Sequence, residues 1–189
     1  MLTPKVLYDA CVLYPAPLRD LLMHLAMTGV FRACWSNDIH EEWMSSVLKN
    51  HPHLSRKQLQ RTRQLMDAHA LDCLIEGYEH LIETLPLKDK NDRHVLAAAI
   101  HGNVSRMITF NLRDFPKSIL DDYEIEAVHP DDFIRELFQS VPEAVLVAVK
   151  RHRISLKNPP KTVDEYLAIL DRQQIPHTVH ALRNHVSLI

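Results

Sequence analysis

Cysteine is scarce in this chain, with three in 189 residues and no CxxC spacing among them. Cys11, Cys34 and Cys73 form an odd set, each inside an apolar stretch such as YDACVLY or FRACWS. That argues against a disulfide framework or a thiolate zinc site, and all three read as reduced packing side chains. No apolar segment approaches the roughly 18 residues needed to span a bilayer. No basic-plus-apolar leader precedes the first strand-like run, so a cytoplasmic location without membrane contact is expected. An excess of positive charge is missing too. A formal net charge of -2 and a pI near 6.7 exclude a globally basic nucleic-acid binder, though not a local basic stripe around an acidic centre. Repeats and low-complexity tracts are absent. Histidine is abundant at 13, but HPH at 51–53 and His177, His180 and His185 lack companion cysteines and the spacing of a closed zinc site. They read as solvated surface residues.

What the chain does have is 46% hydrophobic content, ample for one sizeable core and marginal for two. Charge is unevenly shared: residues 1–132 carry 14 Lys+Arg against 19 Asp+Glu, whereas residues 133–189 carry 8 against 5. An acidic body thus bears a mildly basic tail.

KVLYDACVLY is a β-branched and aromatic run rising into Asp9, and PAPLRDLLMHLAMTG follows with apolar residues at helical spacing. VFRACW is a second strand, after which Ser36 caps NDIHEEWMSSVLKN, whose Ile39, Trp43, Val47 and Leu48 make one apolar stripe. A polar, Arg-rich helix over 55–69 leads to a third strand in ALDCLI. RMITF and YEIEAV supply a fourth and fifth. Strands alternating with helices predict an α/β fold around a mostly parallel five-stranded sheet flanked by helices. Beyond His129 only helical patterns remain, in PDDFIRELFQ, PEAVLVAVKRHR, TVDEYLAILDRQ and HTVHALRNH, with Thr162 and Glu165 forming a capping box. The organisation expected is a body over 1–129 and an all-helical C-terminal extension over 130–189 packed on it.

The stretch DKNDRHVLAAAI, residues 89–100, charges the mouth of one of these helices heavily. Asp89, Asn91 or Asp92 can cap its first turn, where carboxylates are favoured by the helix dipole. Alternatively Asp89 and Asp92 aim oxygen ligands at a metal shared with acids elsewhere. Asp9 ends the first strand, Glu42 sits one turn into the second long helix, and Asp114 follows the fourth strand in TFNLRDF. In an open parallel sheet, ligands gather outside the carboxyl ends of the strands where strand order reverses, and these positions can converge there. Four acids facing one crevice repel each other unless cations neutralise them, so the constellation implies a divalent metal.

The strand into Asp9 in VLYDACVLYP, SNDIHEEW with Glu42, DKNDRHVLAAAI with Asp92, and ITFNLRDFP with Asn111 and Asp114 together resemble the PIN-domain nucleases, and among them the bacterial toxin-like PIN proteins of the VapC type. The resemblance covers about residues 5–130. It implies a metal-dependent endoribonuclease using Mg²⁺ or Mn²⁺ held by Asp9, Glu42, Asp92 and Asp114, with RNA as substrate and a cognate antitoxin as partner. Around that centre, Asp89, Thr109 and Asn111 are candidates to support the acids. Arg93, Arg113, Lys117, Lys150, Arg151 and Arg153 are candidates to meet the RNA backbone. Glu41 points roughly 100° away from Glu42 around its helix, so only one of the two can face the crevice.

Two other readings compete. A phosphoaspartyl enzyme also begins with an aspartate after the first strand, but here the position two after Asp9 is Cys11 rather than a second aspartate. A catalytically silent PIN-like module is the other, its apolar C-terminal helices holding a partner peptide or a second copy of the chain as a homo-oligomer.

Overall fold

Five short and largely buried runs make the sheet in a computed structural model that describes residues 3–189. In chain order the elements are β1 (Lys5–Tyr8), α1 (Ala10–Leu13), α2 (Ala16–Ala26), β2 (Arg32–Ser36), α3 (Asn37–Asn50), α4 (Arg56–His69), β3 (Leu74–Ile75), α5 (Glu79–Ile82), α6 (Arg93–His101), β4 (Arg106–Ile108), α7 (Lys117–Leu120) and β5 (Glu126–Val128). Helices α8 (Pro130–Ser140), α9 (Pro142–Ser155), α10 (Val163–Asp171) and α11 (Pro176–Arg183) complete the chain. The strand order is β3-β2-β1-β4-β5 and every pairing is parallel. Parallel strands need helices on both faces, which is why β1 and β2 read as near-continuous apolar runs and not as alternating ones.

Going outward from β1, the chain adds β2 and β3 on one side and then returns to add β4 and β5 on the other. The order therefore reverses between β1 and β4, and a crevice opens outside their carboxyl ends. Asp9 is the residue after β1, its backbone N–H donating to Ile108 O at 3.1 Å. Strand lengths came out shorter than the apolar runs suggest, for a local reason. Asp72 (φ 51°) and Glu124 (φ 56°) adopt left-handed conformations within the first half of ALDCLI and YEIEAV, and only the last two and the last three residues of these runs form strands.

Helix α6 is buried on all sides over Val95–Ala99, and its three alanines leave little side chain to hold the neighbouring elements off. At its end, Gly102 leaves room for Ile75: a Cβ there would stand 2.6 Å from Ile75 Cδ1 and 3.0 Å from Ala98 O, so the Ile75 side chain would have to move. Ser36 caps α3 by accepting from Ile39 N–H at 3.2 Å, and Ile39, Trp43 and Val47 are buried as their spacing requires. A polar network then fixes α4 against α3. Trp43 Nε1–H donates to His40 Nδ1 at 3.0 Å, so His40 carries its proton on Nε2 and donates to Asp67 Oδ1 at 3.0 Å, which also accepts from Trp35 Nε1–H at 2.8 Å.

The helical extension packs on the body chiefly through α9, and also through α10, against α2. Phe133 meets Phe31 edge-on at 5.2 Å, and His152 of α9 stacks on His24 of α2 at 5.4 Å. The carboxylate of Asp131, at the start of α8, accepts from Thr178 N–H and Thr178 Oγ1, each at 2.7 Å, and from His177 N–H at 2.9 Å. One buried acid at the head of α8 thereby closes the N-terminus of α11. Thr162 and Glu165 form the expected capping box. No helix among the described residues is long and apolar enough to cross a membrane.

Candidate active site

The crevice is built from the ends of β1 and β4, the second turn of α3 and the mouth of α6. Asp9 is 4% exposed. Thr109, the residue after β4, donates its hydroxyl to Asp9 Oδ2 at 2.6 Å and in turn accepts from Asn111 N–H at 2.9 Å. Burial raises the Asp9 carboxyl above the usual carboxylate range, against the hydrogen bonds from Thr109 and Cys11, and the charge of Glu42 adds to the rise.

Asp92 occupies the position before α6, yet its side chain caps nothing. Its carboxyl is pushed up to about 6, first by burial and then by the charges of Asp89, Asp114, Asp9 and Glu42. Every charge named there is an acid, so the four carboxylates expected to gather, with Asp89 beside them, share one field. Asp89 is turned to local work as well, its Oδ1 accepting from Asn91 N–H at 2.9 Å. That is a turn bond in the loop before the helix rather than a cap on it.

The paired glutamates make contacts with different elements. Glu41 bonds Arg56 and lies 3.7 Å from Arg63, both on α4. Glu42 instead lies 3.2 Å from His94 Nε2, at the first turn of α6. Burial depresses the His94 imidazole, but the hydrogen bond and charge of Glu42, with Asp38 and Asp9 behind it, carry it above its ordinary value. Asn111 contributes through its backbone, its carbonyl accepting from Asp114 N–H at 3.0 Å and setting the turn that presents Asp114. Among the described residues no three acids, histidines or cysteines stand close enough to enclose a cation, so the carboxylates share a crevice without forming a closed cage.

Several basic candidates are placed elsewhere. Arg93 directs Nε and Nη2 at Leu87 O, at 3.2 and 3.0 Å, and is a strut for the loop before α6 rather than a free phosphate contact. Arg153 is half-buried, with Nη1 on Lys161 O at 2.8 Å. Arg151 and Lys150 lie on α9; Arg151 acts on His24, on the α2 side of the molecule. Arg113 is exposed beside Asp114, and exposed Lys117 pairs with Asp121 at 2.9 Å.

One residue in the crevice does not behave as its apolar sequence neighbours suggest. Cys34 and Cys73 are buried packing thiols, but Cys11 is only partly buried. Its S–H donates to Asp9 Oδ2 at 3.1 Å, its sulfur accepts from Phe110 N–H at 3.2 Å, and it also lies 3.3 Å from Thr109 Oγ1, whose own proton goes to Asp9. Burial and the Asp9 charge push the thiol up to about 12, so at neutral pH it is a proton donor. The signal available was its position, two residues past Asp9. The surface reading of the C-terminal histidines needs a smaller correction: His177 and His180 are exposed, but His185 is half-buried against Phe138 at 5.2 Å.

A family model described as "PIN domain" matches residues 5–113. A second, described as "VapC50 C-terminal domain", matches residues 130–184. Among curated proteins, "Putative ribonuclease VapC50" of Mycobacterium tuberculosis (strain ATCC 25618 / H37Rv) is 37% identical over 100 residues, which cover 51% of this chain and 57% of that protein. The chain thus spans little more than half the length of the curated relative it matches. No solved structure matches it.

Proposed function

The chain belongs to the PIN-domain family, whose matching segment takes up more than half of it, and from that premise we propose that it is a metal-dependent endoribonuclease, the toxin of a toxin–antitoxin pair. The observation that carries this reading is Asp92: a carboxylate at a helix mouth that caps nothing and is raised to about 6 by burial and by four other acids. A fold retains such a group against its cost when a cation is meant to offset it.

By its chemistry the donor set fits the cation, although its members would have to draw closer to enclose one. Carboxylate oxygens from Asp9, Glu42, Asp92 and Asp114 suit a hard divalent ion, Mg²⁺ or Mn²⁺, and would hold it. When bound, such an ion lowers the pKa of water and offsets charge growing on the leaving oxygen of a phosphodiester. The remaining work falls to the chain. Thr109 fixes Asp9 in one rotamer, the Asn111 carbonyl fixes the Asp114 turn, and His94 holds Glu42 at the crevice wall. No side-chain nucleophile is needed. Exposed Arg113, on the loop after β4, and Lys117, at the start of α7, are the basic residues best placed to meet RNA phosphates. The antitoxin reading is supported by the match of the extension to the VapC50 C-terminal domain. Three free thiols support a cytoplasmic location.

The test is cleavage of a mixed RNA pool by the purified chain with Mn²⁺. Asp9→Asn and Asp92→Asn should each remove nearly all of it while circular dichroism stays unchanged. Cleavage by both variants at the wild-type rate would refute the assignment.

A further inference from the structure

We infer that Cys11 is a positioning residue of this acidic site: its thiol and the Thr109 hydroxyl together clamp Oδ2 of Asp9 and so fix which carboxylate oxygen faces the crevice. The inference rests on the metal-dependent reading above and deepens it. A carboxylate oxygen offers two in-plane lone pairs. On Oδ2 both are engaged, by Thr109 Oγ1–H at 2.6 Å and by Cys11 S–H at 3.1 Å. Oδ1 receives neither donor and is the oxygen left to take a cation.

The clamp is itself held from the other side of the switch point. Phe110 N–H donates to Cys11 Sγ at 3.2 Å and Asn111 N–H donates to Thr109 Oγ1 at 2.9 Å, so two consecutive amides of the loop after β4 orient the two donors that orient Asp9. The same loop presents Asp114, whose N–H donates to Asn111 O. Cys11 is therefore a link by which the position of the β4 loop is passed to Asp9 at the end of β1. The other two cysteines show what packing alone looks like: the sulfur of Cys34 is 3.7 Å from its nearest acceptor and that of Cys73 is 3.9 Å. A thiol is ordinarily a weak donor, but a charged acceptor strengthens the bond.

Removing a group that orients a metal ligand typically weakens metal affinity or activity about 10- to 100-fold. The experiment compares the full chain with Cys11→Ala, Cys11→Val, Cys11→Ser and Asp9→Asn, reading Mn²⁺ affinity by calorimetry, kcat and KM on RNA, and the metal-free melting temperature. Cys11→Ala and Cys11→Val, the latter keeping the volume without the donor, should bind Mn²⁺ roughly tenfold more weakly and lose kcat at limiting Mn²⁺, with KM for RNA and the metal-free melting temperature close to wild type. Cys11→Ser, which restores a donor, should recover both. Wild-type Mn²⁺ affinity in Cys11→Ala and Cys11→Val, alongside an Asp9→Asn protein that binds no Mn²⁺, would overturn the role of Cys11 and leave the nuclease reading standing. A serine variant as impaired as alanine, with a lowered metal-free melting temperature, would reduce Cys11 to packing. Mn²⁺ binding by Asp9→Asn equal to wild type would remove the reading on which both stand.

Discussion

Replacing Asp92 with asparagine should stabilise the metal-free protein and weaken its response to metal. The folded carboxyl sits at about 6, well above the 3.8 of a free aspartate. At about 1.36 kcal/mol per unit this corresponds to roughly 3 kcal/mol, which we discount to about 1–2 kcal/mol because the group is only half-buried and solvent screens it. The helix dipole acts the other way, by about 0.3–1 kcal/mol at most surface sites, and the upward direction of the shift shows that burial and repulsion win. For an acid whose folded pKa is raised, the folded state binds more protons between the two values. The cost is therefore absent below about 4, grows as pH rises, and is complete above about 6. Asp92→Asn should raise the metal-free melting temperature at pH 7.5 by about 2–8 °C, at about 2–4 °C per kcal/mol for a chain of this size, and should change it little at pH 4.5. Saturating Mn²⁺ at about 100 times its dissociation constant should stabilise wild type by about 2.7 kcal/mol, and the variant by much less. Differential scanning calorimetry in chelator and then in Mn²⁺, at both pH values, measures all four quantities. A variant that melts lower than wild type in chelator at pH 7.5, or a rise equal at both pH values, would refute the reasoning. Wild-type protein indifferent to Mn²⁺ would return Asp92 to a structural role.

His152 is held neutral, pushed down to about 4 by burial and by His24, so the stability it supplies is complete above the unfolded value near 6.5 and is lost as pH falls toward 4, by up to roughly 3 kcal/mol; His152→Phe should flatten that acid limb in a denaturant series run from pH 7 to 4. Asp131→Ala removes three hydrogen bonds to one buried carboxylate and should cost about 3 kcal/mol or more, with amide exchange rising first in α11. Deleting residues 130–189 should uncover the faces of α2 and Phe31 that α9 and Phe133 cover and make the body aggregate in light scattering; a soluble, fully active truncation would contradict this.

The fold was legible where a single period dominates. Asn37–Asn50 form a helix over the whole span that the Ser36 cap and the Ile39, Trp43, Val47 stripe predict, and the parallel sheet follows from apolar runs too continuous for a half-solvated strand. Legibility failed where one residue's backbone conformation decides the outcome. Nothing in ALDCLI announces that Asp72 turns left-handed and leaves a two-residue strand, and α1, α5 and α7, four residues each, are too short to show a helical period. At the site, positions were legible and allegiances were not. The resemblance favours Glu42 over Glu41, but that Arg56 of α4 takes one and His94 of α6 the other is not visible in the sequence. Arg93 belongs beside the crevice by sequence, but its guanidinium meets Leu87 O. Such pairings depend on contacts between elements that no local pattern encodes.

The opening residues of α6 show how the fold tolerates a site that local rules disfavour. A stable helix start would use Asp92 as a cap, and this one does not. The loop before the helix is secured by other means: the Arg93 guanidinium bonds the Leu87 carbonyl twice over, the Asp89 carboxylate takes the Asn91 amide, and the fully buried run from Val95 to Ala99 anchors the helix. Each of these supports the segment without using the Asp92 side chain. Asp9 is treated the same way, its Oδ2 gripped by Thr109 and Cys11 and its backbone N–H held by Ile108. Places where local propensity and native structure disagree are expected at functional positions, because elsewhere selection for stability removes the conflict. In this chain two such disagreements, an uncapped helix mouth and a buried carboxylate, fall on the two acids that the same electrostatic field joins. That coincidence is hard to produce by packing alone, and it is the physical reason for reading the crevice as a site for a cation and a phosphodiester instead of a well-formed turn.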